Sequence, residues 1–137
     1  MTPPKPPFTN VTFLDEAMDD LRIVAQRSRP VLLEVFRQLK LLDAGKLTPR
    51  PLHDFAKTGD LSDCGKIVVA VDGEPEHRIV VQRVGATFAV TEVIAVEDRS
   101  GDLPYLLAGL RLGRIKDPIR RSDAGRRVHR IRKLREP

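Results

Sequence analysis

Three β-rich runs lie almost end to end in the second half of the chain: "KIVVAV" (66–71), "RIVVQRV" (78–84) and "TFAVTEVIAV" (87–96). The breaks between them are the turn-forming "DGEPEH" and the tight Gly85-Ala86 step. Connections this short have no room for a crossover helix, so the runs predict three consecutive antiparallel strands, a meander. Such a sheet has an apolar side that helices must cover.

The first half of the chain offers those helices. From Asp15 to Arg27, Met18, Leu21, Val24 and Ala25 recur at helical spacing, with acids in the first turn where the helix dipole favours them. Pro30 suits the first turn of a second helix, whose stripe is Leu32, Val35, Phe36, Leu39 and Leu42, with Gly45 as C-cap. "VTF" (11–13) reads as a short strand, 46–63 as a loop with a helical turn near Phe55, and Leu103 to Leu112 as a final short helix with Pro104 in its first turn. The order is (β)ααβββα. It describes an α+β fold with an N-terminal helical hairpin on one face of a small, mainly antiparallel sheet and a short C-terminal helix.

Alternation along the strands then sorts the side chains. Lys66 shares a face with Val68 and Ala70, and Arg78 with Val80 and Gln82. If Ile67, Val69, Ile79 and Val81 face the hairpin, both cations lie on the other face, where Arg99 at the end of the third strand completes a positive concavity.

Charge divides the chain. Residues 111–137 hold eleven Lys and Arg against three acids, whereas residues 1–110 hold thirteen against sixteen. The 137 residues and 41% apolar content suit one domain, placed at 11–112, after a Pro-rich, disordered lead-in over 1–10. Residues 113–137 are expected to extend as a flexible basic tail, because Pro118 and Gly125 interrupt a helix and the aliphatics are scattered. Such a tail favours polyanions. Arg111, Arg114, Lys116, Arg120, Arg121, Arg126 and Arg127 are its candidate RNA contacts.

Other classes recede. No apolar stretch nears the roughly 20 residues of a membrane span and the N-terminus lacks a signal-peptide core, so no membrane role and a cytoplasmic location are expected. Cys64 is alone and reads as a small buried hydrophobe; three scattered histidines with it make no metal site, and no cofactor is expected. Five Phe, one Tyr and no Trp leave few platforms for autonomous single-strand recognition.

The stretch "DLSDCGKIVVAV…HRIVVQRV…FAVTEVIAVEDRSGDLPYLLAGLRL" resembles the RelE/ParE superfamily of toxins from bacterial type II toxin-antitoxin modules, and within it the RelE branch. "C-x-K-I" opens one strand, "x-R-I-V" the next, and "A-V-x-x-R" ends the third, with a tyrosine six residues later. The resemblance covers about 11–112. It implies a metal-independent endoribonuclease that cuts mRNA on the ribosome and is neutralised by a cognate antitoxin. Carried over by position, the working groups fall on Lys66 as candidate base, Arg78 as phosphate clamp, Arg99 as clamp or leaving-group assistant, and Tyr105 as positioning or stacking group. The chain departs from the branch at Val68, where a second lysine is common, and at Glu97 and Asp98, acids expected to repel RNA beside a phosphate site. The alternatives are a ParE-like gyrase inhibitor and a non-catalytic nucleic-acid-binding or regulatory member of the fold.

Overall fold

The computed structural model describes residues 8–134, so most of the Pro-rich lead-in lies outside the described residues. Strand β1 (Val11–Phe13) leads into helices α1 (Asp15–Arg27) and α2 (Arg29–Asp43). The turn between them is sharp because Ser28 is extended and its hydroxyl accepts from the Val31 amide at 3.3 Å, an N-cap worth about 1 kcal/mol. Then come β2 (Arg50–Pro51), β3 (Asp54–Phe55), β4 (Gly59–Asp60), and the long strands β5 (Cys64–Val69), β6 (His77–Arg83) and β7 (Thr91–Asp98). A 3-10 turn (Ser100–Asp102) joins β7 to α3 (Leu103–Arg111), and α4 (Pro118–Leu134) follows. The protein is α+β.

The main sheet is mixed, in the order β1-β7-β6-β5-β2, and β3 and β4 form a separate two-stranded ribbon. The expected meander is its centre, with Ile67 opposite Ile79 and Val80 opposite Ala95, while β1 pairs parallel to β7. A bulge between Val80 and Val81 leaves Ile94 without an opposite residue. The 46–63 stretch is more structured than a loop. Arg50–Pro51 extends the sheet beside Gly65 and Lys66, and the β3–β4 ribbon stands where a helical turn was expected near Phe55.

Helices cover both faces of the sheet, not one. Leu21 and Val24 of α1 and Val35 and Leu39 of α2 close over Ile67, Ile79, Val81 and Val93. On the other side Leu103, Leu106 and Leu107 of α3, with Ala124 and Val128 of α4, close over Cys64, Val80 and Ile94. The apolar runs carry aliphatics on both sides, so both sides need cover.

The expected flexible tail is therefore corrected over most of its length. Pro118 starts a helix instead of breaking one, because Asp117 caps it by accepting from the Ile119 amide at 2.9 Å. Gly125 sits inside α4 with open space where a Cβ would be. Ala124, Val128 and Ile131 recur at helical spacing, and that narrow stripe docks α4 against the second core.

The outer edge of β7 is finished by side chains. β1 pairs only with Thr91–Val93, and beyond it the Val96 amide donates to Asp20 at 2.9 Å while Arg111 donates to the Ile94 carbonyl at 2.9 Å. No helix of the described residues is long and apolar enough to cross a membrane.

Candidate functional site

The two central strands place Lys66 and Arg78 on the face away from the α1–α2 hairpin, diagonally across the pair and two residues apart in register: Lys66 lies opposite Val80, and Arg78 opposite Val68. β7 ends at Asp98, and the turn that follows carries Arg99 back over this face. Tyr105, in the first turns of α3, projects to the same spot. Lys66, Arg78, Arg99 and Tyr105 all line one open concavity of about 540 Å³, completed by Ser100, Gly101 and Asp102.

Its charge is partly balanced from within. Glu76 bridges the two arginines, 2.6 Å from Arg78 and 3.2 Å from Arg99, and the Glu76 carbonyl accepts from the Arg99 amide at 3.0 Å. The Arg78 hydrogen bond holds the Glu76 carboxyl below its usual range. Arg78 is nearly buried, with a side chain 13% exposed, and Arg99 is 61% exposed. Buried Arg78 Nε meets no acceptor among the described residues. Burial pushes the Tyr105 phenol above its ordinary value, against the pull of Arg78, so it keeps its proton at neutral pH.

From the sequence, the local partners open to Arg99 are Asp98 and Asp102; its carboxylate partner is instead Glu76. The signal was there: Glu76 stands two residues before Arg78, just ahead of β6, near enough in sequence for its side chain to reach back. Glu97 behaves differently from expectation. It is 1% exposed, directly opposite Arg78 in the sheet, and held by Arg27 at 2.8 Å and Arg132 at 3.1 Å. Two guanidiniums answer its charge, so it does not face RNA as a bare acid. Asp98 is also buried and accepts from the Ser100 amide at 2.7 Å, which shapes the turn that carries Arg99.

The basic residues after α3's core divide into groups. Arg111 is corrected from an RNA contact to an internal one: it grips Asp20 at 2.6 and 2.9 Å and its side chain is 11% exposed. Arg114 likewise forks onto Asp63 at 3.0 and 2.8 Å, pulling that carboxyl down to about 2. Arg121 donates to the Ile115 carbonyl and Arg126 pairs with Asp123. Lys116 and Arg120 are exposed, and Arg120 also donates to the Ala56 carbonyl at 3.3 Å. Arg127 lies beside Gly101 on the rim of the concavity. Arg127 and Arg120, with Lys57 and Asp123, line a depression of about 340 Å³.

His77 is buried and turns its Nδ1 to the Pro75 carbonyl at 2.8 Å, away from the concavity. Burial pushes the Cys64 thiol up to about 12, so it packs as a protonated, inert side chain. Among the described residues, no group of three or more His, Cys, Asp or Glu is arranged to hold a metal ion.

The β3–β4 ribbon is pressed against this region by two close approaches. A Cβ on Gly109 of α3 would stand 2.3 Å from the Thr58 carbonyl oxygen, and one on Gly59 would stand 2.1 Å from that of Arg114. Only glycine permits either contact. The ribbon thus becomes a wall next to Lys66 and Tyr105.

No family model, no curated protein and no solved structure matches this chain.

Proposed function

We propose that the protein is a RelE-like toxin of a type II toxin-antitoxin system, an endoribonuclease that cuts mRNA on the ribosome and is held in check by a cognate antitoxin protein. The observation that carries this reading is the convergence of Lys66, Arg78, Arg99 and Tyr105 on one concavity, from two strands, a turn and a helix. The α+β order with a helical hairpin against the sheet supports it.

The chemistry follows from the groups. The substrate's own 2′-oxygen attacks the adjacent phosphorus; a P–O2′ bond forms, the P–O5′ bond breaks, and the products end in a 2′,3′-cyclic phosphate and a 5′-hydroxyl. Lys66, which lines the concavity, is the group placed to receive the 2′ proton. Arg78 and Arg99 receive the charge that grows on the phosphoryl oxygens, and an oxygen entering the site gives the buried Arg78 Nε an acceptor. Arg99, the more exposed of the two, donates a hydrogen bond to the departing 5′-oxygen, which takes its proton from solvent water, and the neutral Tyr105 phenol orients the strand. Scarce aromatics leave most of the positioning to the ribosome.

Glu76 favours a second reading. A carboxylate already bridging both arginines suits a non-catalytic member of the fold that binds nucleic acid through Arg120, Arg127 and their neighbours. Induced expression of wild type beside Lys66→Ala, Arg78→Ala and Arg99→Ala, with growth and new mRNA 5′ ends mapped, separates the cases. Arrest with new ends inside translated frames, lost in the variants, is the expected result. Arrest without new ends moves the protein to gyrase, as a ParE-like inhibitor; no arrest leaves the non-catalytic reading.

A further inference from the structure

A second chamber of about 400 Å³ opens beside the cationic concavity, within the usual range for small-ligand clefts. The two share Lys66, Asp102 and Tyr105, so a strand with a phosphate in one places its neighbouring nucleotide at the other. The far wall is the β3–β4 ribbon with the segment that leads into it, contributing Leu52 from the approach, Phe55 from β3, and Ala56, Lys57 and Thr58 from the turn. Phe55 is 43% exposed and packs edge-on against His53, with ring centroids 6.1 Å apart. Of the chain's six aromatic side chains, Phe55 and Tyr105 thus face this one chamber. Flat apolar walls next to a phosphate site suit a nucleobase.

At the junction stands Asp102. It is the one described non-glycine residue with a positive φ, 58°, a conformation that Asp and Asn tolerate better than other side chains. Its side chain does not cap α3, and among the described residues it has no hydrogen-bond or ion-pair partner. A carboxylate only accepts hydrogen bonds. Guanine offers it two adjacent donors, N1–H and the N2 amino group, in a matching fork. Adenine and cytosine offer one amino group each, and uracil presents carbonyl oxygens on either side of a single N–H.

We propose that this chamber is a guanine-binding subsite, with the base packed against Phe55 and Tyr105 and its edge read by Asp102. The proposal rests on the nuclease reading for the place of the phosphate, but base binding is measurable without cleavage. The test titrates the 3′,5′-bisphosphates of guanosine, adenosine, cytidine and uridine into wild type and Asp102→Asn, following affinity and the Phe55 and Tyr105 ring resonances. Asparagine keeps the size and the backbone conformation of Asp102 while turning one acceptor into a donor. Guanosine bisphosphate should bind about ten- to hundredfold more tightly than uridine bisphosphate, and the variant should lose that margin. Phe55→Ala, on an exposed ribbon, should weaken all four by about tenfold without changing their order. Equal affinities in wild type, absence of binding, or a guanosine preference that survives Asp102→Asn overturns the proposal. RNA cut without base preference sinks the subsite and spares the nuclease; guanosine preference without any cleavage does the reverse.

Discussion

Two clusters of arginine and carboxylate lie on either side of β7's last residues, and they have opposite fates. In the inner one, Arg27, Arg111 and Arg132 surround Asp20 and Glu97, whose side chains are 0% and 1% exposed. In the outer one, Arg78 and Arg99 share Glu76 at the rim of an open concavity with Lys66 alongside. The residue types are the same. What separates them is access to water: the inner carboxylates are enclosed by α1, α3 and α4 and closed by fork-shaped hydrogen bonds, so their partners are committed to structure. The outer arginines have one carboxylate between them, and it remains in contact with solvent.

Breaking the inner cluster should cost most. Asp20→Ala strips partners from Arg111, Arg132 and the Val96 amide at once, and should lower unfolding free energy in urea by about 3–5 kcal/mol. A loss below 1 kcal/mol would mean that the buried network is not holding α4 in place. The outer cluster should show the mirror image. Arg99→Ala should leave the urea midpoint unchanged, yet reduce RNA cleavage about a hundredfold, as removal of one transition-state donor does. If stability fell and cleavage did not, the comparison would collapse.

Glu76→Gln sharpens it further. With the bridge neutralised, phosphate and short oligoribonucleotides should bind more tightly, and the dependence of log affinity on log salt should steepen by about 0.7 for each arginine freed. An unchanged slope would show that Glu76 is no competitor of phosphate. The smallest effect belongs to Asp63, whose carboxyl Arg114 holds at about 2, below its ordinary value of 3.8. A depressed carboxyl stabilises the fold fully above its unfolded value and loses that contribution as pH falls through the folded one. The stability gap between wild type and Asp63→Asn should therefore be constant above about pH 4, shrink below it, and close near pH 2; a gap independent of pH would place the effect in packing instead.

The two clusters also mark how far the amino-acid sequence could be followed. Hydrophobic period alone established the three strands, both hairpin helices and α3, because an apolar stripe at period 2 or 3.6 is a local property that burial then enforces. Alternation put Lys66 and Arg78 on one face, and the strand end put Arg99 beside them. α4 escaped because its apolar stripe is only Ala124, Val128 and Ile131 among many cations, and because Pro118 reads as a breaker until Asp117 is seen to cap it.

Tertiary structure alone decided which cations are available. Arg111 and Arg132 are 91 and 112 residues from Asp20, and nothing in the local pattern of either segment distinguishes them from the exposed Arg120. The same holds for the β3–β4 ribbon, whose place beside Tyr105 depends on a glycine in α3 that lets a distant carbonyl approach. Strand and helix formation are written in near neighbours along the chain, and so the sequence determined them by itself. Ion pairing and pocket walls depend on which surfaces the packed helices bring within a few ångströms, and only the folded chain sets those distances.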